Sequence, residues 1–164
     1  MKNYSEHYKS NKLNLLVIAF ILLTFNLGCS FSVGKPDMPS TEQQNALVKQ
    51  TLKDFTKSIE SGDFSSLRSS ASKELQEQVS ADKLKSAFGA MIDKKDEMVP
   101  ILQSADSKTP QFSNTPTVIE EGSYYTTQLK GSFPTDPLKT IFDFKYVWQD
   151  SQWKLVKIEV ETNN

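Results

Sequence analysis

The chain has 164 residues, with 19 Lys and Arg against 20 Asp and Glu, one histidine and one cysteine. A balance near neutrality without a large basic block excludes a phosphate-reading surface, so nucleic acid is not an expected partner, and a single arginine, Arg68, leaves little for bidentate anion clamps. One cysteine excludes an internal disulfide, so stability has to come from a core, for which ten Phe, five Tyr and two Trp are sufficient.

At the N-terminus, Lys2, Lys9 and Lys12 precede a run of 15 residues, Leu13 to Leu27, that is apolar except for Asn14, Thr24 and Asn26. It ends in Leu27-Gly28-Cys29, which holds the only cysteine. A basic start, an apolar middle and a small residue before the cut describe a secretory signal peptide. Fifteen apolar residues fall short of the roughly 20 that cross a hydrocarbon core, which disfavours the alternative of an uncleaved anchor.

The segment Asn26-Leu27-Gly28-Cys29 resembles the lipobox of bacterial lipoproteins, in which the cysteine thiol takes a diacylglycerol and the chain is cut just before it. Gly28 and Cys29 fit that pattern; Asn26 stands where a leucine-like residue is usual, and Leu27 is bulkier than usual. The resemblance implies a signal peptide over residues 1–28, lipidation of Cys29 and attachment to the membrane through that lipid. Ser30, in the place where an aspartate retains such proteins at the inner membrane, implies the periplasmic face of the outer membrane if the host has two. Removing residues 1–28 takes away three lysines and one glutamate, so 19 against 20 becomes 16 against 19, about −3 over 136 residues. That length suits one domain.

Residues 29–40, with Gly34, Pro36 and Pro39, show no periodicity and read as a flexible tether. A single α+β domain follows over 41–164. Ser40 with Gln43 makes a capping box, and Val48, Leu52, Phe55 and Ile59 form one apolar helical stripe that Gly62 ends. Phe64 and Leu67 suggest a short second helix, Ser72 opens another through Leu75, and Ser80 caps a further one with Leu84, Ala87, Phe88 and Met91 on one face. The alternating charges Asp93 to Glu97 read as a solvated helix end. Beyond Pro100 helical spacing is lost, and an irregular strand is expected around residues 98–103 or near Phe112.

From Thr117 the pattern becomes strand-like. Gly122-Ser123 separates two runs, 117–121 and 124–133, as a hairpin. Residues 139–149 then alternate strictly, with Phe142, Phe144, Tyr146 and Trp148 on one face and Asp143, Lys145 and Gln149 on the other. Asp150-Ser151 turns this run into a last strand, Trp153–Glu161. Helices first and a meander of long strands after predict helices packed on one face of a curved antiparallel sheet.

Ser58-Ile-Glu-Ser-Gly-Asp-Phe64, Val79-Ser-Ala-Asp-Lys-Leu84, Phe88, Gly131-Ser-Phe-Pro134 and the Trp148…Trp153-Lys-Leu hairpin together resemble the nuclear-transport-factor-2-like, or cystatin-like cone, superfamily. The resemblance covers most of residues 41–162 and rests on structural motifs, not on a catalytic signature. It implies a cone-like sheet and a homodimer through that sheet.

Active members of that superfamily place Asp, His, Tyr or Arg inside the cone. Here the only histidine is His7, within the predicted signal peptide, so histidine acid–base chemistry and His or Cys metal sites are not expected in the mature chain. A carboxylate base with a tyrosine donor is the remaining enzymatic pattern, with Asp143 and Tyr146 or Tyr124 as its members. Asp143, however, alternates out of phase with the aromatic row, which places it on the solvent side beside Lys145. The row Phe142, Phe144, Tyr146, Trp148 supplies pocket-lining candidates, although such rows more often form core. The reading that follows is an envelope protein with a non-catalytic binding or assembly domain, without cofactor or metal, whose partner is a protein or a small apolar ligand. A small isomerase- or hydrolase-like enzyme is the alternative.

Overall fold

A computed structural model of the chain describes residues 34–163. Cys29, the predicted signal peptide and the first part of the predicted tether lie outside the described residues. The described part is α+β: six helices, a 3-10 turn and an open antiparallel sheet of five strands.

Helix α1 (Thr41–Ser61) begins at the predicted capping box, where the Ser40 hydroxyl accepts from the Gln43 amide and the Gln43 side chain accepts from the Ser40 N–H. It stops at Gly62, whose φ of 70° is the left-handed conformation that a side chain disfavours. Val48, Leu52, Phe55 and Ile59 are all buried. Three short helices follow, α2 (Ser65–Ser70), α3 (Lys73–Gln78) and α4 (Ala81–Ala87), with Ser72 and Ser80 capping α3 and α4. Arg68 closes this corner: its Nε donates to Val79 O at 2.7 Å and its Nη2 to Gln76 O. The lone arginine thus satisfies carbonyls at the end of α3 that no helical partner could reach.

The single helix expected after Ser80 is broken at Phe88, so that α5 (Gly89–Asp93) is separate. Helix α6 (Lys95–Ser104) corrects the expected strand at 98–103. Pro100 lies inside it on the exposed side, where it lacks the N–H for the helical bond. Met98, Val99, Ile101 and Leu102 on either side are buried, and that burial holds the helix through the proline. Near Phe112 the expected strand is present as the two-residue β1 (Gln111–Phe112).

Strand β2 (Ile119–Glu121) and strand β1 pair with different ends of β3 (Tyr124–Phe133) along one edge, and β4 (Lys139–Gln149) pairs along the other. The order is completed by β5 (Gln152–Asn163) at the rim. Leu129, Phe133, Phe142, Phe144, Leu155 and Val160 face the helices in one core with Phe55, Phe64 and Leu102. The β4–β5 ladder carries one irregularity: Tyr146 faces Leu155 while Lys145 faces Lys157, so Val156 is an extra residue. This bulge lets Leu155 and, three residues on, Ile158 lie on the same face. Beside it, the Ser72 amide donates to Leu155 O at 2.9 Å.

Candidate functional site

The two-residue turn Asp150-Ser151 has φ of 51° and 60°, the mirror-type geometry that suits a twisted hairpin. That turn fixes the register of β4 on β5 and puts Trp148 opposite Trp153. Their rings meet edge to face with centroids 5.2 Å apart, and both are partly exposed. The pair forms one wall of a groove of about 740 Å³, a size ordinary for ligand sites. Gln43, Leu47 and Gln50, on the first half of α1, form a second wall. The third is the extended stretch Pro36–Pro39, in which Pro39 is buried and Met38 half-buried. A smaller cleft of about 410 Å³ lies between residues 35–38 and residues 116–118.

The four aromatic candidates divide. Phe142, Phe144 and Tyr146 are 1%, 0% and 2% exposed and belong to the packed core, whereas Trp148 lines the groove. Cys29 lies outside the described residues. Trp153, Met38 and Leu47 were not singled out from sequence. Trp153 could have been, since a two-residue turn after Gln149 fixes its partner as Trp148.

The acid–base pairs are not brought together. Tyr146 points into the core, where burial pushes its phenol far above the usual range and the Thr51 hydroxyl, 2.9 Å away, only partly offsets this. Asp143 lies on the opposite face of the sheet. It accepts from Gln128 Nε2 at 2.6 Å and meets Lys130 Nζ at 3.0 Å and Lys157 Nζ at 3.1 Å. Partial burial raises its pKa, but the hydrogen bonds from Lys130, Gln128 and Lys157 outweigh that and hold it below the ordinary value. Lys145, the expected neighbour, pairs instead with Glu121 at 2.6 Å. Tyr124 shares the outer face with Asp143 but sits six positions along β3 from Asp143's partner Lys130, about 20 Å at strand spacing.

Tyr124 contributes to a hollow of about 190 Å³ on that outer face, together with Glu74, Lys145 and Val147. The Glu74 carboxylate beside the Tyr124 hydroxyl raises the tyrosine's pKa, and Glu74 accepts from Gln149 Nε2 at 2.6 and 2.7 Å. Glu74 is thus held by neutral donors, and Lys145 by its ion pair with Glu121. Among the described residues no group of three or more His, Cys, Asp or Glu is arranged to hold a metal ion, and no helix is long and apolar enough to cross a membrane. No protein-family model matches this chain, and neither a curated protein nor a solved structure is significantly similar to it.

Proposed function

We propose that this chain is a lipid-anchored protein of the bacterial cell envelope whose folded part binds a ligand or partner and does not catalyse a reaction. Cys29 is the lipidated residue, residues 1–28 are the signal peptide, and the periplasmic face of the outer membrane is the location if the host has two membranes. The basic start, the 15-residue apolar run and Gly28-Cys29 support the anchoring. The observation that carries the binding reading is the groove: two tryptophans, a leucine and a methionine converge there around a few uncharged amides. Asp143 and Tyr146 lie on opposite faces of the same sheet, and Tyr124 stands about 20 Å along the outer face from Asp143, which together speak against the enzymatic alternative.

We also read the fold as a nuclear-transport-factor-2-like, cystatin-like cone, supported by the order of helices followed by a meander of long strands. A homodimer through the sheet, which that reading carries with it, would use the outer face, where Ile119 and Tyr124 are 51% and 44% exposed. A single monomer species in sedimentation at high concentration would overturn the dimer.

Intact mass of the protein from its native membrane, beside a Cys29→Ala variant, tests the anchoring. The expected mass is that of residues 29–164 plus a diacylglyceryl group, with or without a further acyl chain, and the variant should lose it. An unlipidated full-length mass would overturn the proposal.

A further inference from the structure

We propose that Lys35–Met38 is a displaceable strap, with Met38 as its plug, lying across a single cleft that it divides into two. The groove beside the tryptophans and the smaller cleft beside Pro116 and Val118 share the same wall, Pro36, Asp37 and Met38. Taking that wall away joins them.

The strap is held lightly. Among the described residues no backbone hydrogen bond is made by Lys35, Pro36, Asp37 or Met38, and the ties of the segment begin at Pro39, whose carbonyl accepts from Gln44 Nε2 at 2.7 Å. Among the described residues, the one polar contact made to the strap is from Thr127 Oγ1 to the Met38 sulfur at 3.6 Å, and a thioether is a weak acceptor. What remains is the packing of the Met38 side chain against the core. A segment with few hydrogen bonds and one apolar anchor belongs to the low-stability end of a fold and opens well before the rest.

The chemistry of the opened cleft follows from its walls. The ionisable side chains lining either cavity are Lys35 and Asp37, and both belong to the strap. Once the strap withdraws, the remaining walls are aromatic, aliphatic, proline and neutral amide or hydroxyl groups. Burying a formal charge there would be unfavourable without a counter-charge, so the occupant is an uncharged, largely apolar molecule. This occupant rests on the reading of the groove as a binding surface; the movement of the strap does not.

Both tryptophans of the chain line the groove, so intrinsic emission reports on it directly. The test uses the full chain as wild type, Met38→Ala and Met38→Leu. Met38→Ala should raise quenching by uncharged acrylamide several-fold more than quenching by iodide. It should also bind benzyl alcohol, an uncharged aromatic probe read by the shift in emission, several-fold more tightly. Met38→Leu, which refills the plug, should behave as wild type. Equal quenching in all three forms overturns the strap. Should Met38→Ala fail to fold, amide exchange on the wild type decides: Lys35, Asp37 and Met38 should exchange as in an unstructured peptide while β3 is protected, and protection equal to that of β3 overturns the strap. Increased acrylamide quenching with unchanged benzyl alcohol affinity keeps the strap and overturns the groove as a binding surface.

Discussion

The hydroxyl groups of Thr51 on α1 and Tyr146 on β4 meet at 2.9 Å with 8% and 2% of the two residues exposed, the polar tie between the longest helix and the centre of the sheet. Removing either partner alone leaves a buried hydroxyl unpaired, which costs about 1–3 kcal/mol. Thr51→Val and Tyr146→Phe should each destabilise by that order. The double variant should be less destabilised than the two singles added together, because no orphan remains. Urea unfolding of the four forms measures the cycle, and strict additivity would show that the contact contributes nothing.

The same phenol gives an alkaline prediction. Its pKa is raised above the ordinary value of 10.0 when folded, so above that pH the folded chain keeps a proton that the unfolded chain loses. Stability then falls as pH rises, and the contribution is fully present only below the unfolded value. Between about pH 9 and about pH 11 the wild type should lose more stability than Tyr146→Phe, which has no proton to lose there. Parallel pH profiles for the two would count against it.

Asp143 predicts the opposite limb. Its pKa is held below the ordinary 3.8, so its contribution is present above that value and is lost as pH falls through the folded pKa. Thermal unfolding followed from about pH 5 down to about pH 2 should show a steeper loss for wild type than for Asp143→Asn. The asparagine variant should be less stable near neutrality, since Lys130 and Lys157 then face each other without the charge between them.

Gly131 supplies a steric prediction. A Cβ built there would lie 2.1 Å from the carbonyl oxygen of Gln111 and 2.9 Å from Phe142 Cζ. The oxygen is backbone, and its residue pairs with Ser132 in the sheet, so it cannot swing aside as a side chain would. Gly131→Ala should displace β1 and lower stability by about 2 kcal/mol or more. Calorimetry measures it, and an unchanged melting temperature would mean that β1 yields freely.

Much of this architecture could be read from local chemistry. Ser40 with Gln43, Ser72 and Ser80 act through side chains that accept from backbone amides three residues away, Gly62 and the turns at Gly122 and Asp150 act through their own backbones, and each marks an element end in the structure. Alternation along β4 places Phe142, Phe144 and Tyr146 on one face and Asp143 and Lys145 on the other because a strand permits no other arrangement. Pro100 was misleading because proline's local penalty says nothing of the four buried neighbours that outweigh it. The groove was half legible for a related reason. Alternation puts Tyr146 and Trp148 on one face, but α1 covers the first through Thr51 and leaves the second open, and only tertiary placement decides that. Nothing in residues 35–38 announces that they pack beside a tryptophan over a hundred positions away.

Val156 has a consequence for how molecules of this chain behave toward one another. The rim strand is 12 residues long, and a regular strand of that length would offer a continuous ladder of N–H and C=O groups to any other extended chain. The extra residue breaks the ladder near its middle, and the Ser72 amide already occupies the carbonyl beside the break. An incoming strand meets two short stretches out of step with each other. The open rim is therefore a poorer template for edge-to-edge pairing than a regular strand of the same length.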